Sequence, residues 1–214
     1  MTGLIDNDVL LKGACYGLLP ELVGGVSTID SIGVLGTARF VVLDRIHKSQ
    51  LKAGHAQAIT LFGSFLARVS VVEPTPDEQH LAADLELTAQ RLGLNLDSGE
   101  SQLCAVLALR LLPLLMTGDK RAIASIDKLI DHNSHLSSVR GKVMCLEQLF
   151  LELLNDGTIG DGIRTLVCAE PDVDKTMSNC FSCAGGVDSK DSQREGLRSY
   201  IERLRITASR VLRA

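Results

Sequence analysis

Three acidic residues stand where the chain could do chemistry. Asp6 ends a short apolar run, Gly3-Leu-Ile-Asp6, and Asn7-Asp8-Val-Leu-Leu opens a helix directly after it. Glu100 falls in the first turn of another helix, behind the capping pair Asp97-Ser98. Asp119 follows Pro113-Leu-Leu-Met-Thr117 and Gly118, at the carboxyl end of a strand apolar enough to be buried on both faces. Acids at helix starts are common and stabilising, which explains Glu100 well and Asp119 in part. It explains Asp6 poorly, because Asp6 follows a buried strand. Three carboxylates brought together without cations would repel and raise one another's pKa, at a cost in folding energy once they are desolvated. A hard divalent cation removes that cost, and all-oxygen ligands select Mg²⁺ or Mn²⁺.

The elements that must position these groups are two short strands and three helix starts. If the strands ending near Ile5 and Thr117 lie centrally and parallel, Asp6 and Asp119 leave the sheet at the same edge. That edge is where doubly wound sheets build their sites. Lys12, one helical turn from Asp8, faces the same mouth. The rest of the chain reads as mostly helical. The pattern predicts helices over about 7–22, 31–47 and 53–69, a strand at Val71-Val72-Glu73, and a helix from 76 to 91. Thr75-Pro76-Asp77-Glu78 caps that last helix, and Gly93 stops it. Beyond the Asp119 block the pattern predicts helices at about 120–131, 141–154, 160–168 and 194–212, with a glycine-containing loop from Phe181 to Ser192.

Taken in order, Leu4-Ile-Asp6-Asn-Asp-Val-Leu-Leu11, Leu96-Asp-Ser-Gly-Glu100-Ser-Gln and Leu115-Met-Thr-Gly-Asp119-Lys-Arg-Ala122 resemble the three acidic blocks of PIN-domain nucleases, in the variant with Gly-Glu at the second block. The resemblance covers about residues 2–130. It implies an α/β fold of three layers, α/β/α, around a short and mainly parallel sheet. A nuclease domain would then span 1–135, with 136–214 a helical extension packed on the same unit. It also implies a Mg²⁺- or Mn²⁺-dependent endoribonuclease acting on single-stranded RNA, often the toxin of a toxin–antitoxin pair. Asp6, Glu100 and Asp119 carry over as catalytic metal ligands, with Asp8 and Asp97 as further acids. Lys12, Lys120 and Arg121 are the cations expected at the RNA. Two alternatives remain open: a DNA or flap-structure nuclease on the same site, and a PIN-like binding or regulatory module without turnover. The expected partners are RNA and an antitoxin or other protein, with a homodimer also open.

Composition narrows the remaining classes. With 214 residues there is ample length for a sizeable core, and 45% hydrophobic residues with only 3% aromatics and no Trp make that core aliphatic. A net charge of −4 argues against broad, non-specific polyanion binding, while leaving room for a local basic rim. No apolar stretch is long enough to span a membrane, and the start of the chain does not read as a signal peptide, so the expected location is the cytoplasm with all six cysteines reduced. Cys180-Phe-Ser-Cys183 lacks a second knuckle, so no zinc is expected there. The chain carries neither a Gly-x-Ser-x-Gly elbow nor a phosphate-binding Gly-x-x-x-x-Gly-Lys loop. From Lys190 to Ala214 it has seven Lys or Arg against three Asp or Glu. This basic helix reads first as a solvated face, next as an RNA-contacting rim and third as a docking helix, without the aromatic interleaving of a single-strand stacking platform.

Overall fold

The sheet is built outward from its first strand in both directions. β1 (Thr2–Ile5) pairs in parallel with β2 (Ser31–Leu35) on one side and β4 (Leu114–Thr117) on the other. β3 (Ser70–Val72) extends the first side and β5 (Val143–Cys145) the second, giving an all-parallel sheet in the order β3-β2-β1-β4-β5. This is a computed structural model, and it describes residues 1–26, 29–157, 159, 162–185 and 189–214.

Alternation along the central strands feeds two cores, because successive side chains leave a strand on opposite faces. Ile5 and Met116 enter one cluster, while Leu4 and Leu115 enter the other. The first face is covered by α1 (Asn7–Cys15), α2 (Leu19–Gly24), α3 (Ala38–Lys48), α4 (His55–Leu66) and, after a second pass of the chain, α8 (Leu146–Asp156). The second face is covered by α5 (Pro76–Arg91), α6 (Ser98–Leu109) and α7 (Lys120–Leu129). The result is the expected three-layer α/β/α arrangement.

The C-terminal part is mostly helical: α9 (Gly162–Ala169), α10 (Lys175–Cys180) and α11 (Lys190–Thr207) follow α8. α11 buries Leu197 in the first core and Ile201 and Leu204 in the second, so it clamps both sides of the sheet's β5 edge. Past its end, Arg210 donates to the buried carboxylate of Asp127 at 2.8 Å and to Asp131 at 2.6 Å. The backbone N–H of Val143 donates to Val211 at 2.9 Å, and a parallel bridge pairs Val143 with Leu212.

Several local expectations are corrected. Residues 31–35 form β2 rather than the first turns of a helix, and α3 begins only at Ala38. The run 7–22 is two helices, broken where Gly17 adopts φ +70°. Residues 143–145 form β5 before α8 starts at Leu146, so the stretch beyond residue 135 contributes a strand to the sheet as well as helices. The final helix stops at Thr207, short of the expected Leu212. Cys168 is bonded to Cys183, Cα to Cα 5.0 Å, against the expectation of six free thiols; Cys15, Cys104, Cys145 and Cys180 are free and buried. Of the expected loops and helix starts, residues 27, 28, 160, 161 and 186–188 lie outside the described residues.

Candidate acidic site

The strand order reverses between β1 and β4, and a crevice opens beyond the carboxyl ends of strands at such a point. Asp6 sits in it. Its N–H donates to the Met116 carbonyl at 2.9 Å, extending the ladder by one residue before the chain turns into α1. The carboxylate then caps α1, accepting from the N–H of Asp8 at 3.4 Å and from the Thr117 hydroxyl at 3.1 Å. Only 6% of Asp6 is exposed. Burial above all, then the charge of Asp8, push its carboxyl up to about 6.

Asp97 and Glu100 form a reciprocal capping box at the start of α6. The N–H of Glu100 donates to Asp97 Oδ1 at 2.8 Å, and the N–H of Asp97 donates to Glu100 Oε2 at 2.9 Å. Glu100 is 8% exposed, and burial pushes its carboxyl up to about 8; the charges of Asp97, Asp119 and Asp6 act in the same direction against the Asp97 N–H.

Asp119 caps α7, accepting from the N–H groups of Arg121 at 2.7 Å and Ala122 at 3.2 Å. Arg121 also folds back to pair with it at 3.0 Å. Burial raises this carboxyl, but Arg121 and the two backbone donors outweigh it and hold Asp119 below the usual range. Asp8 is held by Lys12 at 2.6 Å and by Arg45 of α3 at 3.1 Å. Asp174, the cap of α10, takes the other side of Lys12 at 2.6 Å. The Asp8 carboxylate lies against the backbone of Gly118, where an added Cβ would meet its Oδ2 at 2.1 Å. Glycine at 118 is therefore what lets Asp8 lean over the end of β4.

All five expected acids, Asp6, Asp8, Asp97, Glu100 and Asp119, line one cavity of about 550 Å³. Its donors are oxygens, the chemistry that suits Mg²⁺ or Mn²⁺. Among the described residues, however, no three His, Cys, Asp or Glu side chains are grouped tightly enough to hold an ion between them. The acids are instead spread over backbone donors and basic side chains. In donor chemistry the residues fit a divalent cation; in this structure they are not drawn together around one point.

The three expected RNA-binding cations are occupied as well. Lys12 is shared between Asp8 and Asp174, which outweigh the downward pull of burial and raise its pKa. Lys120 pairs with the buried Glu147 at 2.6 Å, donates to Thr176 at 3.1 Å and lies 5.3 Å from the Tyr200 ring centre. Arg121 alone is mostly exposed. The structure adds Arg45, Thr117 and Asp174, which sequence reading did not place at the site. Only the Asp174 helix cap carried a local signal; the others arrive through tertiary contacts. The Cys180-x-x-Cys183 motif is not a dithiol here, since Cys183 is bonded to Cys168.

The chain matches no protein-family model and no curated protein sequence.

Proposed function

We propose that this chain is a Mg²⁺- or Mn²⁺-dependent endoribonuclease that cleaves single-stranded RNA at the acidic cavity. One observation carries the reading. Asp6 and Glu100 are buried in one cavity lined by further acids, have no basic partner among the described residues, and carry carboxyls pushed up to about 6 and 8. Buried acids are ordinarily paired or bound to a metal. Asp6, Glu100 and Asp119 would hold the ion, with Asp97 and Asp8 behind them. When bound, such an ion polarises a phosphate and acidifies water. The chain's own part is to fix the carboxylates through helix caps and the Thr117 hydroxyl, and to meet the phosphate with Arg121 and Arg45 at the rim. In-line attack by water would leave a 5′-phosphate and a 3′-hydroxyl.

On this reading the protein works in the cytoplasm, as the toxin of a pair whose antitoxin covers the cavity. No helix among the described residues is long and apolar enough to cross a membrane. A second reading, a binding module without turnover, is favoured by one specific observation: Arg121, Arg45 and Lys12 already neutralise Asp119 and Asp8.

Wild type and Asp119→Asn, assayed on single-stranded RNA, single-stranded DNA and flap substrates with and without Mn²⁺, separate these readings. The nuclease reading expects Mn²⁺-dependent RNA cleavage that Asp119→Asn nearly abolishes. Cleavage of DNA alone would indicate a repair-type nuclease. Absence of cleavage on every substrate would favour the binding module.

A further inference from the structure

A second cleft, of about 390 Å³, adjoins the acidic cavity and shares Lys120 and Arg121 with it as a common wall. It runs between α7 and α11. Ala124 and Leu204 form its apolar floor, Tyr200 borders it, and Arg203 stands one turn along α11. Lys120 Nζ lies over the Tyr200 ring, 5.3 Å from its centre, and the half-buried ring also packs against the first core, which leaves its remaining surface to the cleft. Arg203 is exposed and forms no ion pair among the described residues. Arg121 is largely exposed on the wall between the two cavities.

We infer that this cleft is a nucleobase subsite. It holds the base of the nucleotide next to the phosphate in the acidic cavity, with Tyr200 and Leu204 against the base and Arg121 and Arg203 toward the backbone. The inference rests on the nuclease reading for the position of that phosphate. Three features of the cleft favour this occupant. Its volume lies within the roughly 300–1,000 Å³ of small-ligand sites. An apolar floor with one aromatic ring suits a base of any identity, because every base has a π-face. Its charges are basic and sit at the rim, where a backbone rather than a base would pass. Arg121 and Arg45 at the rim of the acidic cavity would meet a phosphate without orienting the strand. A base held one nucleotide away supplies that orientation and selects single strands over duplexes, whose bases are stacked inward.

The test uses the chain's own fluorescence. The protein has no Trp and only two Tyr, and Tyr16 is buried in the first core, so quenching by an added strand reports Tyr200. A single-stranded RNA oligonucleotide is titrated into metal-free protein, where nothing is cleaved, with end-label anisotropy read in parallel. Quenching is expected in wild type and lost in Tyr200→Phe, while Tyr200→Phe keeps wild-type affinity within about twofold. Tyr200→Ala should weaken binding by about tenfold, the size of one base–aromatic stack, and Arg203→Ala should weaken it and flatten its salt dependence. An abasic strand of the same length should bind wild type more weakly and be indifferent to Tyr200→Ala. The inference is overturned if Tyr200→Ala binds as wild type does, if the abasic strand binds equally well, or if wild type binds no single strand. Mn²⁺-dependent cleavage with KM unchanged in Tyr200→Ala would remove the subsite and leave the nuclease reading standing. Tyr200-dependent binding without cleavage would do the reverse.

Discussion

The hydroxyl of Thr117, at the end of β4, donates to Oδ2 of Asp6, at the end of β1, across 3.1 Å. Thr117 Oγ1 also accepts from the N–H of Asp119 at 3.3 Å. One buried hydroxyl thus ties together the two acids that leave the central strands. Thr117→Val keeps the shape and removes both contacts. It should cost about 1–2 kcal/mol in urea denaturation at pH 8, since a buried acceptor loses its donor. It should also push the Asp6 carboxyl further up, because that donor is one of the groups holding it down. The rising limb of any pH–activity profile should then move to higher pH. An unchanged profile and stability would show that Thr117 does not set Asp6.

Asp6 and Glu100 make stability depend on pH in a definite direction. Both are carboxyls raised in the folded protein, to about 6 and about 8, from ordinary values of 3.8 and 4.5. The folded state therefore holds protons that the unfolded state has released, and their unfavourable contribution grows as pH rises from about 4 to about 8. Metal-free protein should lose thermal stability across that window, and Glu100→Gln, which keeps the capping geometry, should flatten the loss. At pH 8 the variant should melt about 2–4 °C above wild type, the shift expected for about 1 kcal/mol at this chain length. Asp119 behaves oppositely: it is held low by Arg121 and backbone donors, so Asp119→Asn should not stabilise. Parallel melting curves for wild type and Glu100→Gln from pH 5 to 8 would contradict this account.

A side chain at residue 118 should disturb the site rather than the fold. A Cβ there would overlap the Asp8 carboxylate, whose end can swing away at little cost in folding. Gly118→Ala should therefore fold, yet displace Asp8 from Lys12 and Arg45 and lower cleavage by at least about tenfold, the scale on which misplaced groups reduce rates. Circular dichroism with a cleavage assay checks both halves. Wild-type cleavage by the variant would show that the position of Asp8 is immaterial.

Arg210 should hold the C-terminal segment to the sheet. Its guanidinium and N–H, with the N–H of Val211, surround the buried Asp127 carboxylate. Arg210→Ala leaves that charge with backbone donors alone and should cost about 2–3 kcal/mol in a single cooperative transition. A separate early transition would mean that the segment folds independently of the domain.

Much of this site is legible in the sequence because its key acids announce themselves locally. Asp6, Asp97 and Asp119 are helix caps directly after short apolar runs or loops, and Glu100 completes the box begun by Asp97. The strands β2 and β5 were not legible. Ser31–Leu35 and Val143–Cys145 are short, apolar and run almost directly into helices, so periodicity cannot separate them from a first helical turn. Arg45, Thr117 and Tyr200 reach their partners across the fold, and nothing in their own neighbourhoods marks them. The Cys168–Cys183 bond is of the same kind: it depends on where α9 ends relative to the turn after α10.

Asp6 and Glu100 are buried at the β1/β4 crevice without a basic partner among the described residues, and calorimetric titration of Mn²⁺ at pH 7.5 tests most directly the proposal that they hold a divalent cation. Wild type should bind Mn²⁺ in the cavity. Asp6→Asn and Glu100→Gln should each weaken that binding by about tenfold or more while remaining folded, because each removes one ligand charge. Saturating Mn²⁺ should also recover the thermal stability that metal-free wild type loses toward pH 8. Failure of wild type to bind Mn²⁺ at millimolar concentration, or equal binding by wild type and both variants, would contradict the account.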